Sequence, residues 1–268
     1  MMHIKLEVIS REPASNGSNG RHAPLLFVHG AWHGAWCWEE HFLPYFAEQG
    51  YSAYAISLRG HGNSTGHDML LWWSFQNYVE DLRSVITDME AHPILIGHSM
   101  GGYAVQKYLE EYDAPAAVLM APIPTSGTLP FSLRLFKRHP LAMLRAALTL
   151  NPYYVLGKPG LARDAMFSPD MPEEKVQGYA AMLQSESFRV LLDTTFLNLP
   201  KPKKIKTPIM VVGAENDTIF HPDEIHRTAH DYNTQAYIFP DMAHDMMLEA
   251  GWQNVADCIL GWLDARSL

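Results

Sequence analysis

Ile94-Leu95-Ile96-Gly97-His98-Ser99-Met100-Gly101-Gly102 runs from a β-type apolar stretch, through Gly-x-Ser-x-Gly, into a helical pattern. Strand, tight turn and helix in that order are what a nucleophile elbow requires. So sharp a turn forces its serine into strained backbone angles, and side chains at the flanking positions would collide with neighbouring strands. Gly97 and Gly101 remove those collisions. The turn lifts the Ser99 hydroxyl clear of the strand and sets a helix N-terminus beneath it, where negative charge is favoured. Ser99 is therefore the candidate nucleophile.

Outward from this turn, short apolar runs alternate with helical patterns. Leu25-Leu26-Phe27-Val28, Tyr51 to Leu58 and Ala116 to Met120 read as strands, and Trp38 to Gln49, Ser74 to Glu90 and Gly101 to Tyr112 as helices. Pro13 to Gly20 is turn-rich and reads as a loop between early strands. After Pro122 the rhythm breaks, and no convincing strand occurs before about Pro200. It resumes with Ile209-Met210-Val211-Val212, a helix over Pro222 to Asp231, Ala236-Tyr237-Ile238-Phe239, and a last helix from Trp252 to Ala265. The pattern predicts an α/β fold, a mostly parallel sheet flanked by helices. Residues 1–122 and 201–268 form its core, and 123–200 is a helical cap inserted into it.

Bulk properties narrow the function. The chain has 268 residues, 47% hydrophobic and 18% charged, with a net charge of −9. That suits a globular domain and argues against nucleic acid as a partner, because phosphate binding needs a basic surface. Two distant cysteines, Cys37 and Cys258, read as free thiols of a reducing compartment. No apolar run is long enough to span a membrane and the N-terminus lacks a signal-peptide core, so the expectation is a cytoplasmic protein.

A serine hydroxyl is a weak nucleophile and needs a base, with a third group to hold that base. In a sheet of this kind the acid and then the histidine follow the serine in sequence. Asp217, in the polar turn after Ile209 to Val212, is preferred over Glu215 as the acid. His244, in the exit loop of the next strand, is the base. His226 and His230 stand at the i, i+4 spacing of a metal pair, but without the partnering Glu they read as surface histidines, and no metal is expected. Acyl transfer also needs two preset N–H donors for an oxyanion. One is the backbone of Met100; the other comes from the His29-Gly30-Ala31-Trp32 loop, with Ala31 first and Trp32 second. His29 reads as a loop-shaping residue. Trp32 and Trp36 either line the substrate cavity or pack as core aromatics.

Together these stretches resemble the α/β-hydrolase superfamily over nearly the whole chain. His29-Gly30-Ala31-Trp32-His33-Gly34-Ala35-Trp36-Cys37-Trp38 looks like the plant methylesterase and hydroxynitrile lyase branch. Arg59-Gly60-His61-Gly62-Asn63-Ser64 and the Ser99 turn are similar to monoacylglycerol lipases and bacterial esterases. The resemblance implies a Ser99–Asp217–His244 triad, Ala31 and Met100 as oxyanion donors, and cleavage of a small or lipophilic acyl ester without cofactor. Hydroxynitrile lyases carry a threonine where Gly30 stands and a lysine where Asp245 stands, so cyanohydrin cleavage is not implied. Lactonases, other lyases and cofactor-free dioxygenases share the serine and histidine, and a non-catalytic receptor on this scaffold is the reading outside catalysis.

Between Phe131 and Arg163 every charged residue is basic: Arg134, Lys137, Arg138, Arg145, Lys158 and Arg163, interleaved with leucines from Leu133 to Leu150. The amphipathic pattern reads as a cap with its apolar face over the cleft and solvated charges, and a sharper expectation is transient contact with lipid or an anionic acyl substrate. Met166, Phe167, Met182, Leu183 and Phe188 are further candidates for cavity lining.

Overall fold

In the computed structural model, which describes residues 4–13, 22–149 and 159–268, the apolar runs pair into one sheet. The strands are β1 (Glu7–Arg11), β2 (Leu25–Val28), β3 (Ala53–Ser57), β4 (Ile94–His98), β5 (Ala117–Met120), β6 (Ile209–Ala214) and β7 (Ala236–Phe239). Their spatial order is β1-β3-β2-β4-β5-β6-β7, with β1 antiparallel to β3 and every other pairing parallel. Every residue of β2, β4, β5 and β6 is buried. Helices cover both faces, which is why these strands read as continuous apolar runs rather than alternating ones. The loop predicted over 14–20 lies outside the described residues, as do Leu150 and Lys158.

Helices α1 (Trp36–Glu39) and α2 (Phe42–Glu48) replace the single helix expected over 38–49. Pro44 explains the break. In a continuous helix its ring would strike the carbonyl four residues back and one hydrogen bond would be lost. Restarting at Phe42 leaves Pro44 within a first turn, where no donor is needed. Helices α3 (Phe75–Asp88) and α4 (Met100–Leu109) follow, and α4 is buried along its whole length. Between β5 and β6 the described residues hold helices and connections only: α5 (Leu129–Arg138), α6 (Pro140–Thr149), α7 (Pro159–Met166), α8 (Glu173–Met182) and α9 (Phe188–Leu192). α10 (Pro222–Asp231) precedes β7, and α11 (Trp252–Asp264) ends the fold. No helix of the described residues is long and apolar enough to cross a membrane.

The register sets the carboxyl ends of the central strands level. Val28 pairs with Gly97, His98 with Met120, and Met120 with Val212. The Ser99 N–H donates to the Met120 carbonyl at 2.9 Å, extending the ladder one residue into the turn. The first residues of α4 then pass hard against the end of β2. A Cβ on Gly101 would overlap the carbonyl oxygens of both Val28 and His29, which are backbone atoms with nowhere to go. Gly101→Ala is expected to cost about 3 kcal/mol of stability, the upper end for overpacking. Gly178→Ala, at an exposed position of α8 where a Cβ meets nothing within 4 Å, is expected to stabilise by about 0.5 kcal/mol. Urea unfolding of the two variants checks both.

Candidate active site

Ser99 occupies the turn between β4 and α4 with φ 52° and ψ −115°. A non-glycine residue holds such angles only where its surroundings over-determine them; here the sheet ladder and the α4 contacts do so. Asp217 follows β6, and its Oδ1 accepts the backbone N–H groups of Ile219 at 2.8 Å and Phe220 at 3.0 Å. His244 follows β7. The Nδ1–H of His244 donates to Asp217 Oδ2 at 2.7 Å, which leaves Nε2 to accept the Ser99 hydroxyl at 2.9 Å. All three are buried, at 7% exposure for Ser99, 3% for Asp217 and 2% for His244. The structure thus brings together three residues spread over 145 positions of sequence.

Electrostatics follow from these contacts. Burial works against a charged His244, but the carboxylate of Asp217 outweighs it and holds the imidazole above its ordinary value. His98, the residue before the serine, has its ring centroid 4.8 Å from that of His244. Burial first, and then the neighbouring His244, push His98 down to about 3. It is a neutral imidazole whose Nε2–H donates to the His244 carbonyl at 3.0 Å. His98, His244 and Asp245 form a cluster of potential metal ligands among the described residues. Yet both ring nitrogens of His244 and Nε2 of His98 are already committed to hydrogen bonds.

The loop after β2 closes the other side. His29 is neutral, held well below its ordinary value by burial and by nearby His61. It donates from Nδ1 to the Gly30 carbonyl at 2.7 Å and accepts the Leu58 N–H at 3.1 Å, so it shapes the loop. A Cβ on Gly30 would stand 2.7 Å from His98 Nδ1 and 3.1 Å from the Ser99 Cβ, leaving no room for the threonine of hydroxynitrile lyases. Ala31, Trp32 and Met100 all line the cavity above Ser99. Met100 opens α4, so no helical carbonyl takes its N–H.

His33 and Asp245 were not singled out together in the sequence. The two ring nitrogens of His33 face the Ala31 carbonyl at 2.8 Å and the Asp245 carboxylate at 3.1 Å. Both partners can only accept, so the two contacts fix the ring between the Ala31 loop and Asp245. Burial opposes the charge on Asp245, but His33 outweighs it and keeps the carboxyl below its ordinary value. This fully buried pair ties the Ala31 loop to the residue after His244. Nothing local in the sequence signals it, because 212 positions separate the partners.

The cavity has a volume of about 100 Å³. Its walls are largely apolar, with Ile123, Leu135, Met143, Met166, Leu191 and Phe220 among them. Trp36 is not among the lining residues; of the two alternatives it takes the packed one, its ring stacking on His33 at 5.3 Å and on Tyr179 at 6.4 Å. Phe167, Met182, Leu183 and Phe188 do not line it either; Phe167 stacks on Tyr179 and Met182 is exposed. Val190, Leu191, Thr194 and Thr195 stand there instead, carried by the chain from α9 onward. The basic run is also less solvated than expected. Arg134 donates to Glu224 at 2.7 Å and to the Ile219 carbonyl at 2.6 Å, and Arg163 pairs with Glu173. His226 and His230 lie exposed on α10.

The chain is 27% identical over 232 residues to a pheophorbidase of Raphanus sativus, covering 82% of this chain and 86% of that one. It is 29% identical over 245 residues to the pFDCC methylesterase MES16 of Arabidopsis thaliana, covering 85% and 91%. Among solved structures, a thermophilic esterase from Thermogutta terrifontis superposes with a TM-score of 0.74 at 18% identity, over 99% of this chain and 95% of that one. The sequence profile of the alpha/beta hydrolase family matches residues 25–258. The chain belongs to the alpha/beta hydrolase family.

Proposed function

We propose that the chain hydrolyses a carboxylic ester with a small or lipophilic acyl group, through an acyl-enzyme on Ser99. The observation that carries this is the hydrogen-bonded relay from Asp217 through His244 to Ser99 at the floor of an apolar cavity. The names of the relatives, a methylesterase and a pheophorbidase, support the reading. In this mechanism Ser99 Oγ attacks the ester carbonyl as its proton passes to His244 Nε2. Asp217 stabilises the imidazolium that forms, and the N–H groups of Ala31 and Met100 receive the oxyanion. His244 returns the proton to the departing alcohol. It then takes one from water, which attacks the acyl group and frees Ser99. These steps require no metal or organic cofactor.

In the same reading, residues 123–200 are a cap over the α/β core formed by 1–122 and 201–268, and Trp32 bounds the substrate. The His33–Asp245 pair is a positioning device, holding the Ala31 loop against the loop that bears His244. Cyanohydrin lysis is disfavoured by the filled space around Gly30 and by Asp245 in the lysine position.

Ser99→Ala is expected to lower turnover of short acyl esters by about 10³-fold or more while leaving the fold intact. A fluorophosphonate probe should label the wild type and not the variant. Labelling that survives the substitution would remove Ser99 from the mechanism.

The pH profile tests His244. Its folded-state value is raised, so it is protonated, and unable to accept the serine proton, below that value. Activity should fall as pH drops, with the midpoint of the acid limb of kcat/KM above about 6.5, the ordinary histidine value. Asp217→Asn should shift that midpoint downward and lower kcat by about 10⁴-fold.

Asp245→Ala leaves the buried His33 ring without its carboxylate partner and is expected to cost about 1–3 kcal/mol in urea unfolding. Asp245 has a depressed folded-state value, so its contribution is present above the ordinary aspartate value and is lost as pH falls through the folded one. The difference between wild type and variant should therefore shrink toward low pH.

A further inference from the structure

Helices α5 and α6 are apolar on two sides. Toward the interior, Phe131 and Leu135 of α5 and Met143 of α6 line the cavity above Ser99. Toward the outside, α5 exposes Leu129, Leu133 and Phe136, and α6 exposes Leu141, Leu144 and Leu148. Leu141 is 81% exposed and Leu148 76%, values usual for charged surface residues rather than leucine. The spacing is i, i+4, i+7 on α5 and i, i+3, i+7 on α6, so each set forms one stripe along its helix. A lid that only covered a cleft would need the inner stripe alone.

The charge on this face is equally one-sided. From Asp113 to Asp164 the chain has no intervening acidic residue, although its net charge is −9. Lys137 falls on the same side of α5 as Leu129 and Leu133, and Arg145 on the same side of α6 as Leu141 and Leu148; both are exposed. Arg138 lies 3.5 Å from Asp164 and keeps 54% of its side chain exposed. Cations among protruding leucines match an interface whose surface is anionic and whose interior is hydrocarbon, where the long basic stems reach outward to the head groups. A second copy of the chain fits less well, because a twofold contact would bring Lys137 and Arg145 of both copies, four cations, into one interface.

We propose that the outer face of α5 and α6 docks this protein onto an anionic lipid bilayer. The helix axes lie in the interfacial plane, and Leu133, Phe136, Leu144 and Leu148 enter the acyl boundary. The same two helices wall the cavity, so docking sets its entrance against the hydrocarbon, and an acyl ester can leave the bilayer for Ser99 without crossing water. Substrate delivery rests on the ester-hydrolase reading; docking itself does not.

Vesicle flotation of the full chain tests this, using phosphatidylcholine vesicles with and without one-third phosphatidylglycerol. The protein should float with the anionic vesicles, at least about five-fold less should float with the neutral ones, and salt at about 1 M should weaken the anionic preference. Leu133→Ser/Phe136→Ser/Leu144→Ser/Leu148→Ser should abolish flotation. Lys137→Gln/Arg145→Gln should erase the preference for anionic vesicles. Both variants should keep wild-type hydrolysis of a soluble acetyl ester, which also shows that they fold. Wild-type protein that stays unbound with every vesicle overturns the proposal, as do variants that float like the wild type. A wild-type dimer in sedimentation that the four-site variant splits overturns it too and assigns the face to self-association. Ser99→Ala protein should float normally, whereas wild-type protein that binds vesicles but turns over no ester would defeat the hydrolase reading alone.

Discussion

Ser99 can sit at φ 52° and ψ −115° only because α4 begins directly against the last carbonyls of β2. That close approach is the constraint on which the rest of the site depends. It aims the hydroxyl above the sheet edge and leaves the Met100 N–H free at the start of the helix. It also fixes the point at which a histidine from the loop after β7 must arrive. The register of β2, β4, β5 and β6 keeps their carboxyl ends level, so loops that are remote in sequence meet over a single turn. Strain at one residue is sustained by a buried parallel sheet on every side.

Much of this was legible before any coordinates. The buried strands announce themselves because a sheet covered on both faces needs apolar residues at every position, and helix α10 begins and ends where its sequence pattern does. The turn around Ser99 is legible because its glycines answer a local steric demand. Where local chemistry and periodicity disagreed, periodicity misled: the apolar pattern from Trp38 to Gln49 runs through Pro44, and the backbone breaks to accommodate the ring. The sequence left Trp36 open between a cavity wall and packing, because whether an aromatic faces a cleft or a neighbouring ring depends on residues such as Tyr179, far along the chain.

The least legible layer is the set of buried ion pairs. His33 with Asp245 and His61 with Glu186 join residues more than a hundred positions apart. In both cases the histidine spans a main-chain carbonyl and a carboxylate. Burial disfavours charge on His61, and Glu186 reverses that and raises it. Each pair fastens one loop of the sheet edge to a distant segment: the Ala31 loop to the residue after His244, and the Arg59–Ser64 loop to the chain that enters α9. Removing one member strands a charge in the interior, so such a pair specifies which loops meet more than it adds to net stability. A histidine next to a turn motif in sequence gives no hint of this, since the partner is supplied by topology.

The same logic bears on the helices between β5 and β6. Arg134 leaves the exposed run and reaches inward to Glu224 and to the Ile219 carbonyl. Ile219 is in turn one of the two N–H donors that hold Asp217. One side of α5 is thus anchored to the segment that orients the acid of the relay, while Leu129, Leu133 and Phe136 on its other side face solvent. Whatever covers those leucines also bears on the cavity wall formed by Leu135 and on the loop behind His244. The proposed docking at the outer face and the proposed chemistry at Ser99 are thus linked through one arginine, one carbonyl and one carboxylate.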